Sequence, residues 1–191
     1  MLEKIKSLDT ELFLFLNGKH NSFFDPIMYW ASDKLFWIPF YILIAILIIK
    51  QYKKQSIPIF ISIAVLILLS DQIASHLIKN AVARLRPSHE PALQGLVHLS
   101  EAGPGGAFGF VSSHAANAFA LAAFLFFLLP KNFKRLKWIL LCWAILVSYS
   151  RIYNGVHYPS DVAVASVLGI FLAWLVLKFY NNLFTDQTLK N

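Results

Sequence analysis

The polar side chains of this chain fall at the borders of its apolar stretches, and their types suit one kind of chemistry. Lys79, Arg84, Arg86 and Pro87 follow one long apolar run, Ser112-Ser113-His114 open the next, Ser150 and Arg151 close another, and His157 and Asp161 precede the last. Arginine presents planar, forked donors that match phosphate oxygens two at a time, and lysine adds a compact charge. Ser112 is placed to cap a helix whose free backbone N–H groups form an anion site. Gly103, Gly105, Gly106 and Gly109 lie just before it and permit tight turns and close backbone approach. His157 and Asp161 are spaced i, i+4, so a helix starting near Tyr158 brings them together. A carboxylate on one imidazole nitrogen fixes the tautomer and leaves the other nitrogen to attack. Attack on phosphorus gives a phosphohistidine, with His114 as proton donor to the leaving oxygen and later as activator of water. Lys79, Arg86, Arg151 and the N–H groups near Ser113 would hold the equatorial oxygens. The scheme uses no metal and no other cofactor.

The elements that must position these residues are membrane helices. Of 191 residues 58% are hydrophobic and 14% charged, with a mean hydropathy of +0.60, against roughly 25% charged in soluble domains. Disordered, collagen-like and disulfide-rich classes are excluded, and a single cysteine, Cys142, rules out an intrachain disulfide. Five apolar stretches predict spans: Leu35–Ile49, Ile57–Ile78, Ala115–Leu129, Trp138–Tyr149 (extendable at both ends) and Val162–Phe179. The expected fold is therefore an all-α membrane bundle, one domain over 1–191. Residues 1–34 form interfacial N-terminal helices, 35–179 the transmembrane core, and 180–191 a cytoplasmic tail. In the N-terminal part, Leu8, Leu12 and Phe15 recur at helical spacing beside Asp9 and Glu11, predicting an amphipathic surface helix. Asp25-Pro26 starts a second short helix; the alternative is a broken sixth span over Leu8–Trp30. No cleaved leader is expected, since Leu12–Leu16 is too short and runs into Asn17-Gly18-Lys19.

A net charge of +7 divides between two places. Lys50, Lys53 and Lys54 sit in one short loop and Lys131, Lys134, Arg135 and Lys137 in another, which alternating spans put on one, cytoplasmic side. The opposite side receives Lys79, Arg84, Arg86, Arg151, the two histidines and Asp161, with Glu90 and Glu101 as the other carboxylates expected there.

The strings KNAVARLRP (Lys79–Pro87), SSH (Ser112–His114) and SRIYNGVHYPSD (Ser150–Asp161) resemble the three signature motifs of the type 2 phosphatidic acid phosphatase superfamily, K-x6-R-P, P-S-G-H and S-R-x5-H-x3-D. The first and third match at every fixed position. The middle one departs at Val111, where proline is usual, and at Ser113, where glycine is usual. The resemblance implies metal-independent hydrolysis of a lipid phosphate or diphosphate monoester at the outer face of the inner membrane. By motif position His157 is the nucleophile, Asp161 its partner and His114 the acid–base, while Lys79, Arg86, Ser112, Ser113 and Arg151 hold the phosphate. Members of similar size act on undecaprenyl diphosphate, phosphatidylglycerol phosphate or phosphatidic acid, which are the expected substrates, or on the phosphates of lipid A. Soluble haloperoxidases share the motifs, but the five apolar stretches exclude that branch.

Competing readings follow from the same residues. Two histidines and an aspartate suit zinc, although the nearby cations repel a divalent ion. A phosphotransferase or a non-enzymatic anion carrier would use the same pocket. Asp71, on one helical stripe with Ser75 and Lys79, is read as a tether for its helix in preference to a catalytic acid, and His76 falls off that stripe. His89 and His98 are read as solvated or headgroup-facing. Arg84 is read either as a contact to a second phosphate or headgroup or as a surface residue. The long outer loop, Ser88–Phe110, is expected to cover the site and to select the headgroup. Membrane lipids are the expected partners, and nucleic acid is not.

Overall fold

The computed structural model describes residues 2–184, and these are helical with connecting loops. Helices α1 (Leu2–Asn17) and α2 (Phe24–Ser32) precede α3 (Ile38–Tyr52) and α4 (Ser56–Gln72). A wider π-helical turn, Ile73–Ile78, carries α4 into the short α5 (Lys79–Val82), which Ala83 ends in a left-handed conformation. After the long loop come α6 (Ser113–Leu128), α7 (Lys134–Tyr153) and α8 (Pro159–Phe184). Three helical runs are long and apolar enough to cross a membrane, 38–82, 131–153 and 159–184, with Ser113–Leu128 a shorter apolar helix. The first run contains the two stretches read from the sequence as separate spans. A positive φ of 51° at Lys53 breaks it into the α3–α4 turn. Helix α8 continues through Phe184, and residues 185–191 of the expected tail lie outside the described residues.

Small residues explain why α6 is the central helix. Ala115, Ala116, Ala118, Ala120 and Ala122 are buried, while large apolar residues on neighbouring helices, such as Ile61, Leu68, Val167 and Phe171, face outward. In lipid no hydrophobic force drives helices together, so small residues that let backbones approach decide the interface. Gly169 of α8 shows this: a Cβ there would stand 2.3 Å from the Ala116 carbonyl oxygen and 2.9 Å from the Ala120 nitrogen. Below this contact the apolar core joins Ile48, Ile59, Leu66, Phe124, Leu125 and Leu140. The Tyr52 hydroxyl donates to the Leu128 carbonyl at 2.8 Å, so the two lysine-bearing turns lie at the same end of the bundle.

At the opposite end α1 and α2 cover the starts and ends of the core helices. The face of α1 turned to the protein is Asp9, Phe13 and Asn17, all buried, while Leu8 and Phe15 are 55% and 60% exposed. Asn17 donates to the carbonyls of Tyr153 (2.8 Å) and His98 (3.0 Å) and accepts from the His98 N–H (2.8 Å). Met28 of α2 accepts from Asn154 at 3.1 Å. The N-terminal helices thus pack on the end that holds the motif residues.

Candidate active site

The turn between α7 and α8 places His157. Gly155, with φ of 76°, packs against the His98 carbonyl, and the chain reverses through bonds from Gly155 to the Ile152 carbonyl (3.0 Å) and from Val156 to the Arg151 carbonyl (3.1 Å). His157 is 1% exposed, and its Nδ1 lies 3.4 Å from Asp161 Oδ2 with no hydrogen-bond partner closer among the described residues. Asp161, in the first turn of α8 and fully buried, accepts from the Tyr158 N–H at 3.0 Å through the same oxygen. Its other oxygen accepts from Arg84 Nη1 at 3.0 Å.

The Asp161 backbone carbonyl accepts from the Ser112 N–H at 3.2 Å, which joins the start of α8 to the start of α6. Ser112 is the buried N-cap of α6 and its hydroxyl accepts from the Ala115 N–H, as the sequence predicts for a serine in this place. Ser113 and His114 follow in the first turn, half-buried.

Two arginines arrive from different directions with donors unspent. Arg86, 8% exposed, donates through Nε to the Phe108 carbonyl at 3.0 Å, and its Nη1 is buried with no partner among the described residues. The loop arms that hold it pair through Arg86 N–H to the Ala107 carbonyl and Gly109 N–H to the Arg84 carbonyl, each at 2.9 Å. Arg151, in the last turn of α7, donates to the Ser32 hydroxyl of α2, and its buried Nε is likewise unpartnered. Buried charged donors are normally satisfied, so two orphans at one spot point to an anion. Burial first, then the positive charges of Arg151, Arg86, Lys79 and His114, hold the His157 imidazole well below its usual range. Three of the four Lys and Arg side chains that the sequence places at this end, Arg151, Arg86 and Lys79, therefore act on one imidazole, and Arg84 does not. The imidazole is kept neutral, the form a nucleophile needs.

The structure corrects the reading of Arg84. It is not a plain surface residue: its Nη2 meets Asp9 Oδ2 at 2.7 Å, its Nη1 meets Asp161, and its guanidinium lies 3.9 Å over the Tyr158 ring. Burial raises the Tyr158 phenol to about 12. Asp9 also takes the Ser160 N–H at 2.9 Å and the Ser160 hydroxyl, capping α8 from α1. The carboxylates at this end therefore include Asp9 and Asp25 besides those expected. Sequence reasoning passed over Asp9, Ser160, Ser32 and Asn17. Only the i, i+4 spacing of Asp9, Phe13 and Asn17 signalled them, and no local pattern names their partners. His98 is not solvated as read: its Nε2 lies 3.1 Å from Asp25 Oδ1. Asp71 accepts from Asn117 of α6 at 3.2 Å, which is the tether anticipated for it, and His76 is exposed. Beside His114 a cavity of about 340 Å³ opens between α2, α3, α6 and α7, lined by Ser32, Lys34, Trp37, Tyr41, Leu121 and Trp143 among others.

A family model of the PAP2 superfamily matches residues 60–185. The chain belongs to the PAP2 superfamily. It is 38% identical over 177 residues to a lipid A 4'-phosphatase of Bacteroides thetaiotaomicron, covering 92% of this chain and 78% of that one. It is 32% identical over 174 residues to an undecaprenyl-diphosphatase of Sulfolobus acidocaldarius, covering 89% and 77%. The crystal structure of a transmembrane PAP2 type phosphatidylglycerolphosphate phosphatase from Bacillus subtilis superposes with a TM-score of 0.66 at 26% identity, over 94% of this chain and 87% of that chain. The PAP2 protein described here is accordingly a membrane enzyme, a lipid phosphatase.

Proposed function

We propose that this phosphatase removes a phosphate monoester from a lipid A-type headgroup at the outer face of the inner membrane, through a phosphohistidine on His157. One observation carries the chemistry: a buried imidazole 3.4 Å from Asp161 lies under the charges of Arg86 and Arg151, each of which keeps one buried donor atom without a partner among the described residues. In the first step His157 Nε2 forms a bond to phosphorus while the ester P–O bond breaks, and His114 gives its proton to the departing lipid oxygen. In the second, water attacks the phosphohistidine, returns a proton to His114 and releases inorganic phosphate. The dianionic phosphate supplies the counter-charge that lets His114 hold a proton among cations. Lys79, Arg86, Arg151 and the α6 N-terminus at Ser112 and Ser113 bind the three equatorial oxygens. Asp161 fixes the His157 tautomer.

The choice of lipid A over the substrates first expected is supported by 38% identity to a lipid A 4'-phosphatase across nearly the whole chain. The cavity beside His114 is sized for an acyl segment that stays in contact with lipid while the headgroup reaches the cations. The outward orientation is supported by the lysine-rich turns at the opposite end of the bundle.

The test is release of inorganic phosphate in detergent from lipid A, undecaprenyl diphosphate, phosphatidylglycerol phosphate and phosphatidic acid. Lipid A is expected to give the highest kcat/KM, in excess chelator as well, and H157A to abolish release. Release by H157A at the wild-type rate would overturn the nucleophile; preference for another lipid would overturn the substrate.

A further inference from the structure

Away from the phosphate pocket, a second cluster of polar side chains joins three segments that are far apart in the sequence. His20 lies in the turn after α1, Asp25 in the first turn of α2, and His98 in the outer loop. One ligand-capable atom from each lies within 4.8 Å of the other two. His98 Nε2 is 3.1 Å from Asp25 Oδ1, and the His20 and His98 rings are stacked at 3.7 Å, 2° from parallel. An ion pair accounts for Asp25 and His98 alone. It leaves His20 with no side-chain hydrogen bond among the described residues, held against a second imidazole whose protonation would repel its own.

The surroundings fix two of the three groups. Asn17 grips both backbone groups of His98, at 2.8 and 3.0 Å, and the Tyr153 hydroxyl donates to Asp25 Oδ1 at 2.7 Å. Such outer partners orient metal-binding histidines and carboxylates. The adjoining cavity, about 440 Å³, is lined by Asp25, Tyr29, His98 and Glu101, leaving room for water on the open side. Lys19, the neighbouring cation, is turned away over the Phe15 ring at 4.7 Å.

We propose that His20, Asp25 and His98 bind one zinc ion, with water in the fourth position. Two neutral imidazoles and a carboxylate are a borderline donor set that zinc favours over magnesium or calcium. Tetrahedral bonds of about 2.0–2.1 Å place ligand atoms roughly 3.3 Å apart, so the three atoms, which lie within 4.8 Å of one another, draw closer around the ion, and the exposed His20 ring turns out of its stack on His98 to aim its in-plane lone pair at the metal. Zinc would staple the outer loop, which follows closely on Arg86, to the α1–α2 turn. The site is separate from the phosphate pocket, and its existence does not depend on which lipid is hydrolysed.

The experiment is zinc binding by the full chain in detergent, stripped with chelator, dialysed against zinc and measured by elemental mass spectrometry. It is run on wild type and on H114A/H157A, which removes the other histidine pair. One zinc per chain is expected in both, with a rise in unfolding temperature and visible absorption bands of tetrahedral cobalt on substitution. H20A, at an exposed position where folding is not at stake, is expected to weaken binding at least tenfold, and D25N similarly. Wild type retaining no zinc overturns the proposal. So does undiminished binding in H20A and D25N, and so does binding lost in H114A/H157A but kept in H20A.

Discussion

Replacement of Gly105 by alanine tests whether Arg86 is positioned by the backbone of the outer loop. A Cβ at Gly105 would stand 2.3 Å from Arg86 Nη1 and 3.0 Å from its Cζ. Non-bonded heavy atoms rest about 3.5 Å apart or more, so the guanidinium must retreat by roughly 1 Å. Arg86 is pinned at Nε by the Phe108 carbonyl, and Gly109 approaches its Cγ from the other side, so the retreat disturbs the unpartnered Nη1 first. A misplacement of about 1 Å in a substrate-positioning group costs about 10²-fold in rate, about 2.7 kcal/mol of transition-state binding. The φ of 69° at Gly105 adds strain of about 1–2 kcal/mol for any L-residue, and Gly103 separates the two effects. Its φ is 73°, yet nothing lies within 4 Å of a Cβ there. Phosphate release is measured for G105A and G103A alongside their unfolding temperatures. G105A is expected to lose about 10²-fold in kcat/KM and G103A less than about threefold, with similar stabilities. Equal losses in the two variants would refute positioning of Arg86 by Gly105.

Other expected outcomes follow from the same geometry. D9N leaves Asp161 as the carboxylate that pairs with Arg84 and weakens the α8 cap; it is expected to lower activity about tenfold and to lower the unfolding temperature, whereas a neutral result would remove Asp9 from the supporting network. G169V forces apart the backbones of α6 and α8 and is expected to destabilise by about 3 kcal/mol or more in detergent unfolding. Because His157 is neutral in the fold and protonated when unfolded below about pH 6.5, its burial lowers stability as pH falls below that value. R151Q removes the first-named charge acting on it, so His157 gains protons more readily and the acid limb of kcat/KM is expected to move to higher pH; a limb that stays fixed while the rate drops would assign Arg151 to phosphate binding only.

The candidate site residues were legible because their spacing is local. His157 and Asp161 are one helical turn apart, and Ser112 marks the start of its helix by residue type alone. Arg84 was misread because its partners, Asp9 and Ser160, lie 75 and 76 residues away and no periodicity links them. Helix α1 was read as amphipathic, and its apolar stripe, Leu8, Leu12 and Phe15, is exposed, while the mixed face Asp9, Phe13, Asn17 meets the protein, a contact that periodicity alone does not reveal. The membrane stretches were likewise visible by hydropathy. That α6 stands at the centre rests on its alanines, whose meaning depends on neighbours the sequence does not name.

The contact of Gly169 with Ala116 and the bond from Ser112 to the Asp161 carbonyl have a consequence for how such an enzyme diversifies. They weld into one rigid piece the helix that carries His114 and the helix entry that carries His157. The spacing of the two histidines is thereby set by backbone contact, which few substitutions can alter gradually. The walls of the cavity beside His114, contributed partly by α2 and α3, are under no such constraint. Substitutions in those walls leave the two histidines where they are, so what the cavity admits can change apart from how the histidines are held.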